Sequence, residues 1–471
     1  MKTTMSENPV LRIVVLCILY CAQGIPHGFV TYALVAWLVE HGTETAGVAM
    51  ITGASVMPWS FKWAWGPIVD RYQILEYGKR RPWIIFAQAL MIGSAFVLTL
   101  VPDPAQAIWV LAGVIFMHNV FSGLQDVAVD ALAVDLLKPE ERGRANGLMY
   151  GSKYGGTALG AGLLGYVLTN SDGSLFYSVL IMMGLLALIM CVPIFVRERP
   201  GERLFPGLKH QTGHLVEDAR DADEGSENPT VKLLLKRLLS AFNRRNTMLA
   251  AVLGLLVWIP NGLVYPVSMT LFIGKLGWTQ GDYTAVTGTW GLAAGLTCSV
   301  LGGFVADLIG ARTLAALCAT TFALMLAAFA MVPDSVWMNT TFVSVFLVVE
   351  SGVHGALNVS LFAIFMSVSW RIVAATQFTA YMALLNLSYT AGNFMSPVLE
   401  PLGVRTIYAI AACIQILVLF VLPFCRQTKE KRTVGPRCQK CEYLLQGLPQ
   451  DHPCPECGWR QIEDPDPLTT T

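Results

Sequence analysis

Lys62, Asp126, Asp130 and Lys153 are charged side chains set inside otherwise apolar stretches of the chain. Asp126 and Asp130, four residues apart in "GLQDVAVDALAVDLLKPEERGRANG" (123–147), share one face of a helix. No charge precedes them back to Ala107. Asp135 lies half a turn round from Asp126, near the polar end of the run at Leu137. Lys62 stands 8 residues before Asp70, where another apolar run ends, and Lys153 about 10 residues into a run opening near Gly143. At about 1.5 Å per helical residue, all four lie roughly 10–17 Å from the same polar edge. At such a depth a lysine attracts an anionic solute, and an aspartate takes up and releases a proton. The competing reading is a permanent ion-pair network that orients helices, because a charge facing lipid costs from about 2.5 kcal/mol upward. One Asp–Lys pair can do both.

The medium around these charges follows from composition. Of 471 residues, 54% are hydrophobic and 14% charged, against about 25% charged in a soluble domain. Apolar runs cover 13–39, 46–69, 82–101, 105–125, 145–169 and 174–196, then 246–274, 283–306, 313–333, 335–365, 372–399 and 404–425. A bilayer core takes about 20 helical residues. The expected fold is an all-α polytopic membrane protein, with twelve transmembrane helices in two six-helix bundles. With the N-terminus cytoplasmic, alternate connections collect 28 of the 32 Lys and Arg residues, leaving only Lys275 and Arg405 on the other side. The positive-inside rule then puts both termini and the central loop on the cytoplasmic face of an inner or plasma membrane. Residues 1–10 are polar and lead straight into a long apolar run, so no cleavable signal peptide is expected.

Four segments are expected: a bundle at 1–196, a cytoplasmic linker at 197–245, a second bundle at 246–425 and a cytoplasmic tail at 426–471. The linker holds "EDARDADEGSE" (217–227) and "VKLLLKRLLSAFNRR" (231–245), the latter an amphipathic helix suited to the inner headgroup region. The bundles echo each other. "GPIVDR" (66–71) and "GGFVADLIGAR" (302–312) set Gly66 and Asp70 against Gly303 and Asp307, and "GLQDV" (123–127) matches "GALNV" (355–359). A repeated six-helix unit follows, with a solute site between the halves near the midplane.

On "FKWAWGPIVDRY" (61–72), "GKRRPW" (78–83) and "QDVAVDALAVDLLKPEERGRANG" (125–147), the chain resembles the major facilitator superfamily. More closely, it resembles the muropeptide permease (AmpG-like) branch, whose relatives include acetyl-coenzyme A transporters. The resemblance is specific over about 11–200 and general over 246–425. It implies a twelve-helix alternating-access fold and cytoplasmic uptake driven by protons. Muropeptide permeases commonly carry extra C-terminal spans, whereas this chain ends in a cysteine-rich tail.

The cytoplasmic turns carry a second set of candidates. Asp70 is followed by Arg71, Arg80 and Arg81, the next inner turn brings Glu141 and Arg142, and the second half keeps Asp307 and Arg312. Ion pairs between neighbouring turns would hold the cytoplasmic side shut and break on opening; alternatively the basic residues only set topology. Glu350 is the lone acid in its span, with His354 one turn on; it can join the proton pathway or pack. His27 and His118 are weaker candidates. Gly151, Gly155, Gly156, Gly160, Gly162 and Gly165 line one span and let another helix approach closely.

No hydrolase, nucleotide-binding or metalloprotease motif is present, so the chain is not expected to be an enzyme. The expected function is secondary active transport, as a proton symporter, of a bulky anionic solute such as a muropeptide-like sugar–peptide. The alternatives are transport of another organic anion or a sugar, and a non-transporting membrane sensor that signals through the tail. Partners are the bilayer and a small solute, with a cytoplasmic protein docking on the tail; a monomer without nucleic acid is expected.

Cys438, Cys441, Cys454 and Cys457 form Cys-x2-Cys, twelve residues, Cys-x2-Cys. That spacing suits tetrahedral zinc, so a structural zinc ribbon is expected at 438–457. An all-cysteine set leaves no open position for catalysis.

Overall fold

The computed structural model describes residues 4–101, 103–137, 141–171, 175–204, 245–369 and 374–425. The described residues form one compact unit; the tail, 426–471, lies outside the described residues, as do the acidic patch and amphipathic segment of the linker. In chain order the helices are α1 Pro9–Glu40, α2 Thr45–Val56, α3 Trp65–Arg71, α4 Arg81–Leu98, α5 Ile108–Leu136, α6 Arg142–Leu159 and α7 Leu175–Phe195. The second half has α8 Arg245–Lys275, α9 Gln280–Ile309, α10 Ala311–Met331, α11 Thr340–Val368, α12 Ala374–Leu399 and α13 Val404–Phe424.

Among the described residues, nine of these helices are long and apolar enough to cross a membrane, which corrects the expected twelve. The three segments that fall short have identifiable causes. The α2 helix stops at Val56, and the chain runs on as 3-10 turns over Met57–Ser60 and Lys62–Ala64 before α3; Pro58 contributes no backbone N–H to a continuing helix. The α6 helix is built of Gly, Ser, Tyr and Thr around Lys153 rather than of aliphatic residues. The α12 helix carries Asn386, Ser388, Tyr389, Thr390 and Asn393. The α12 helix turns its polar side chains into protein rather than lipid: Ser388, Thr390 and Asn393 are all buried.

Glycines set the closest approach. A Cβ on Gly24 of α1 would meet the Thr157 backbone nitrogen at 2.7 Å, and one on Gly160, just past α6, the Phe29 nitrogen at 2.8 Å. The second half repeats the device. A Cβ on Gly262 of α8 would meet the Asn393 nitrogen at 3.0 Å, and one on Gly392 of α12 the Leu263 nitrogen at 2.8 Å. Gly262 lies 238 residues after Gly24 and Gly392 lies 236 after Gly156, another α6 glycine pressed on α1. The α1–α6 and α8–α12 contacts are therefore the same packing unit in both halves.

The structural zinc and zinc ribbon are also corrected. Among the described residues no three His, Cys, Asp or Glu side chains gather to hold a metal. The described cysteines are free and dispersed over the helices, where each is a small apolar side chain. Cys438, Cys441, Cys454 and Cys457 lie outside the described residues, so the zinc expectation has no structural support.

Candidate functional site

The break after α2 positions the first charge. Lys62 sits on the 3-10 turn beyond Pro58, and its Nζ donates to Asp126 Oδ2 at 2.8 Å. Asp126 is 5% exposed and Lys62 16%. One turn along α5, Asp130 accepts a hydrogen bond from the Tyr20 hydroxyl on α1. Gln23 Nε2 donates to Gln125 Oε1 at 2.9 Å, and Gln125 Nε2 to the Leu19 carbonyl at 3.1 Å, so α1 and α5 are fixed in register behind the carboxylates.

Lys153 reaches the same place from α6. Its Nζ lies 4.7 Å from the centre of the Trp59 ring, with Lys62 at 5.8 Å from that ring. Trp59 is held by donating Nε1–H to Asn119 Oδ1 at 3.0 Å. Asp126 and Asp130 both act electrostatically on Lys153, yet Lys153 makes no ion pair among the described residues. All four expected charges thus converge, but unequally: Lys62 is paired and Lys153 is free.

In the second half, the Asn261 amide of α8 is in hydrogen-bonding reach of Glu350 on α11. Tyr283, Tyr389 and Tyr408 are its electrostatic neighbours. His354 is wedged edge-on between Trp258 and Phe322, at 4.9 and 4.5 Å, a packing position. His118 bonds Ser94 Oγ and the Met91 carbonyl at 3.0 and 3.2 Å and is likewise interior. His27 instead is exposed to the space beside Lys153, with Thr31 Oγ1 at 3.5 Å.

At the end of the bundle that holds the N-terminus, Arg80 bridges two acids, Asp70 at 2.6 Å and Asp135 at 2.8 Å. Arg81 donates to the Arg203 and Leu204 carbonyls at 3.1 and 2.9 Å. Glu141 pairs with Arg12 at 2.6 Å rather than with the 71–81 turn. Arg71, Asp307 and Arg312 are exposed, and the Arg142 side chain is outside the described residues. Glu198 accepts backbone N–H bonds from Lys79, Arg80 and Arg81 at 3.1, 2.8 and 2.5 Å, capping α4; Gly78, at φ +110°, turns the chain into it. Glu202 accepts from the Glu198 N–H at 2.8 Å. Burial pushes its carboxyl up to about 7.

Hydrogen bonds between the halves gather at the opposite end. Thr45 Oγ1 donates to Glu400 at 2.6 Å and lies 3.1 Å from Thr270 Oγ1. Thr169 bonds Gln280, and the Gln280 N–H reaches Glu40 at 3.4 Å. Deeper in, Tyr265 donates to the Thr31 carbonyl and Thr52 to Asn393, both at 2.5 Å.

Sequence reasoning missed Arg12, Tyr20, Gln23, Gln125, Glu198, Glu202 and the tyrosines around Glu350. Gln23 and Gln125 carried a signal, being amides in apolar runs. Tyr20 and Arg12 carried none, because aromatic and basic residues are ordinary near membrane surfaces.

The sequence model described as "Major Facilitator Superfamily" matches residues 16–397. The chain belongs to that superfamily. It is a multi-pass membrane transporter of small solutes, and membership makes it a transporter rather than an enzyme. This superfamily member is 24% identical over 433 residues to the "Anhydromuropeptide permease" of Escherichia coli (strain K12), covering 90% of this chain and 82% of the relative. Its fold is that of a solved D-xylose-proton symporter, with TM-score 0.67, 14% identity and coverage of 89% of this chain and 98% of that one. The nucleoside transporter NupG superimposes with TM-score 0.62 at 13% identity, covering 88% and 98%.

Proposed function

We propose that this transporter carries a bulky anionic solute of the muropeptide-like sugar–peptide class into the cytoplasm together with a proton. The observation that carries the reading is the unequal quartet. Lys62, Lys153, Asp126 and Asp130 sum to zero when all are ionised and to +1 when one carboxylate holds a proton. The Lys62–Asp126 bond neutralises one pair, so a proton on Asp130 leaves the Lys153 ammonium uncompensated. An anion then binds better, and by linkage a bound anion favours the proton. The Trp59 ring beside Lys153 offers a face for a sugar ring, and the E. coli relative's name supports the sugar–peptide class. Lysine and arginine counts support cytoplasmic termini. In that orientation the hydrogen bonds between the halves close the outer side, as expected of a cytoplasm-facing state in alternating access. On the cytoplasmic side, the Arg80 pairs with Asp70 and Asp135 lie within one half and are intact in this cytoplasm-facing state, so they brace that half.

Proteoliposomes under an imposed pH gradient test this. Anhydromuropeptide should accumulate with the proton gradient, and Asp130→Asn should uncouple accumulation from it; a neutral disaccharide or an acyl-coenzyme A should not accumulate. Preference for either of those compounds, or ligand binding without flux, overturns the reading.

A further inference from the structure

Protein encloses α1 along most of its length, and His27 is the exception. From Val15 to Val39 every residue is buried or half-buried except His27, which is exposed. It stands 18 residues after Pro9 and 13 before Glu40, the ends of its span, hence near mid-membrane. Its face of the helix is not a lipid face. Residues four and seven positions away share that face. They are Thr31, whose carbonyl accepts from Tyr265 of α8 at 2.5 Å, and Tyr20, which donates to Asp130 of α5. Gly24, one turn before His27, is pressed on α6, where a Cβ would meet the Thr157 nitrogen at 2.7 Å. A side chain bordered by α5, α6 and the opposite half, and still exposed, opens on an internal space between the halves. Histidines inside spans commonly line such spaces. Thr157 lies one turn beyond Lys153 on α6, so His27 is level with the Lys153–Trp59 pair to within about a turn.

One ring nitrogen is engaged and the other is open. Thr31 Oγ1 lies 3.5 Å from Nδ1, and Nε2 has no hydrogen-bond partner among the described residues. With the Thr31 hydroxyl donating to Nδ1, the ring hydrogen sits on Nε2; an imidazolium also carries one there. Nε2 is a donor in both forms. A carbonyl oxygen satisfies it fully, whereas a hydroxyl brings a hydrogen of its own, and the nearby Thr31 carbonyl is already taken by Tyr265. We propose that His27 Nε2–H donates to an amide carbonyl of the solute whose anionic group lies at Lys153, which makes His27 a specificity-determining residue. This rests on the sugar–peptide reading and deepens it, since an acetamido sugar and a peptide bond both offer that carbonyl.

The test measures binding to the full chain in lipid nanodiscs with three probes. They are N-acetyl-1,6-anhydromuramyl tripeptide, its counterpart with hydroxyl in place of the acetamido group, and N-acetyl-1,6-anhydromuramic acid without peptide. His27→Ala should weaken the first probe about tenfold, the scale of one hydrogen bond. An acetamido partner predicts the same loss for the peptide-free probe and none for the hydroxyl probe; a peptide partner predicts the reverse. In each case the unaffected probe reports a folded variant. His27→Gln, which keeps an N–H donor, should retain most of the affinity. Equal losses on all three probes, no loss on any, or a loss with His27→Gln as large as with His27→Ala overturns the inference alone. Binding of no probe by wild type overturns the sugar–peptide reading and the inference with it.

Discussion

Replacing Lys62 with methionine leaves Asp126, 5% exposed, without the ammonium 2.8 Å away. At an effective dielectric of about 20, two unit charges at that distance attract by about 6 kcal/mol. Burying each charge costs several kcal/mol in lost hydration, so the intact pair contributes close to nothing relative to a neutral pair of similar shape. Losing one partner is different. The desolvated survivor remains, and such changes cost about 3–5 kcal/mol. Here the loss should fall at the lower end, about 3 kcal/mol, because Lys153 also acts on Asp126. Lys62→Met/Asp126→Asn should recover to within about 1 kcal/mol of wild type, since neither charge is then stranded. Lys153→Met removes a cation–π contact worth about 0.5–2 kcal/mol and should destabilise less than Lys62→Met. Reversible unfolding in mixed detergent, followed by tryptophan fluorescence, measures wild type, the single variants Lys62→Met, Asp126→Asn and Lys153→Met, and the double variant. If the double variant loses as much as the two single variants added together, the charges do not neutralise each other. If Lys153→Met unfolds as readily as Lys62→Met, Lys153 is a structural brace and is not free for a solute.

Glu202 makes the stability of the bundle end that holds the N-terminus pH-dependent. Its folded carboxyl titrates at about 7, above the ordinary 4.5, so the folded state holds a proton that the unfolded chain has released. That stabilisation is complete below pH about 4.5 and lost as pH rises through about 7; Glu202→Gln should flatten melting temperature between pH 5 and 8, and an unchanged slope would assign the dependence elsewhere. Gly160→Leu should prevent α1 and α6 from closing, because even a Cβ meets the Phe29 nitrogen at 2.8 Å; the expected result is loss of monodisperse protein on size exclusion, whereas a normal profile would mean the contact is looser than the backbone indicates.

Composition and residue period carried much of the architecture. Long apolar runs required a helical membrane protein, because backbone groups in lipid must pair within their own segment. Helical spacing put Asp126 and Asp130 on one face, and depth counting brought Lys62 and Lys153 to the same level, where the structure holds them around Trp59. The Gly-x-x-x-Asp echo marked the repeat whose packing unit reappears as α1–α6 and α8–α12. Three helical segments defeated a reading that equated apolar length with spanning, since a helix enclosed by others can carry Asn and Ser where lipid would exclude them. Partner choice was decided only by tertiary structure. Nothing in spacing says that Lys62 takes Asp126 and leaves Lys153 free, that Arg80 bridges Asp70 to Asp135, or that Glu141 turns to Arg12. Each choice depends on helix rotation and approach distance between segments up to 129 residues apart, quantities fixed by packing across helices and not by the order of residues within one.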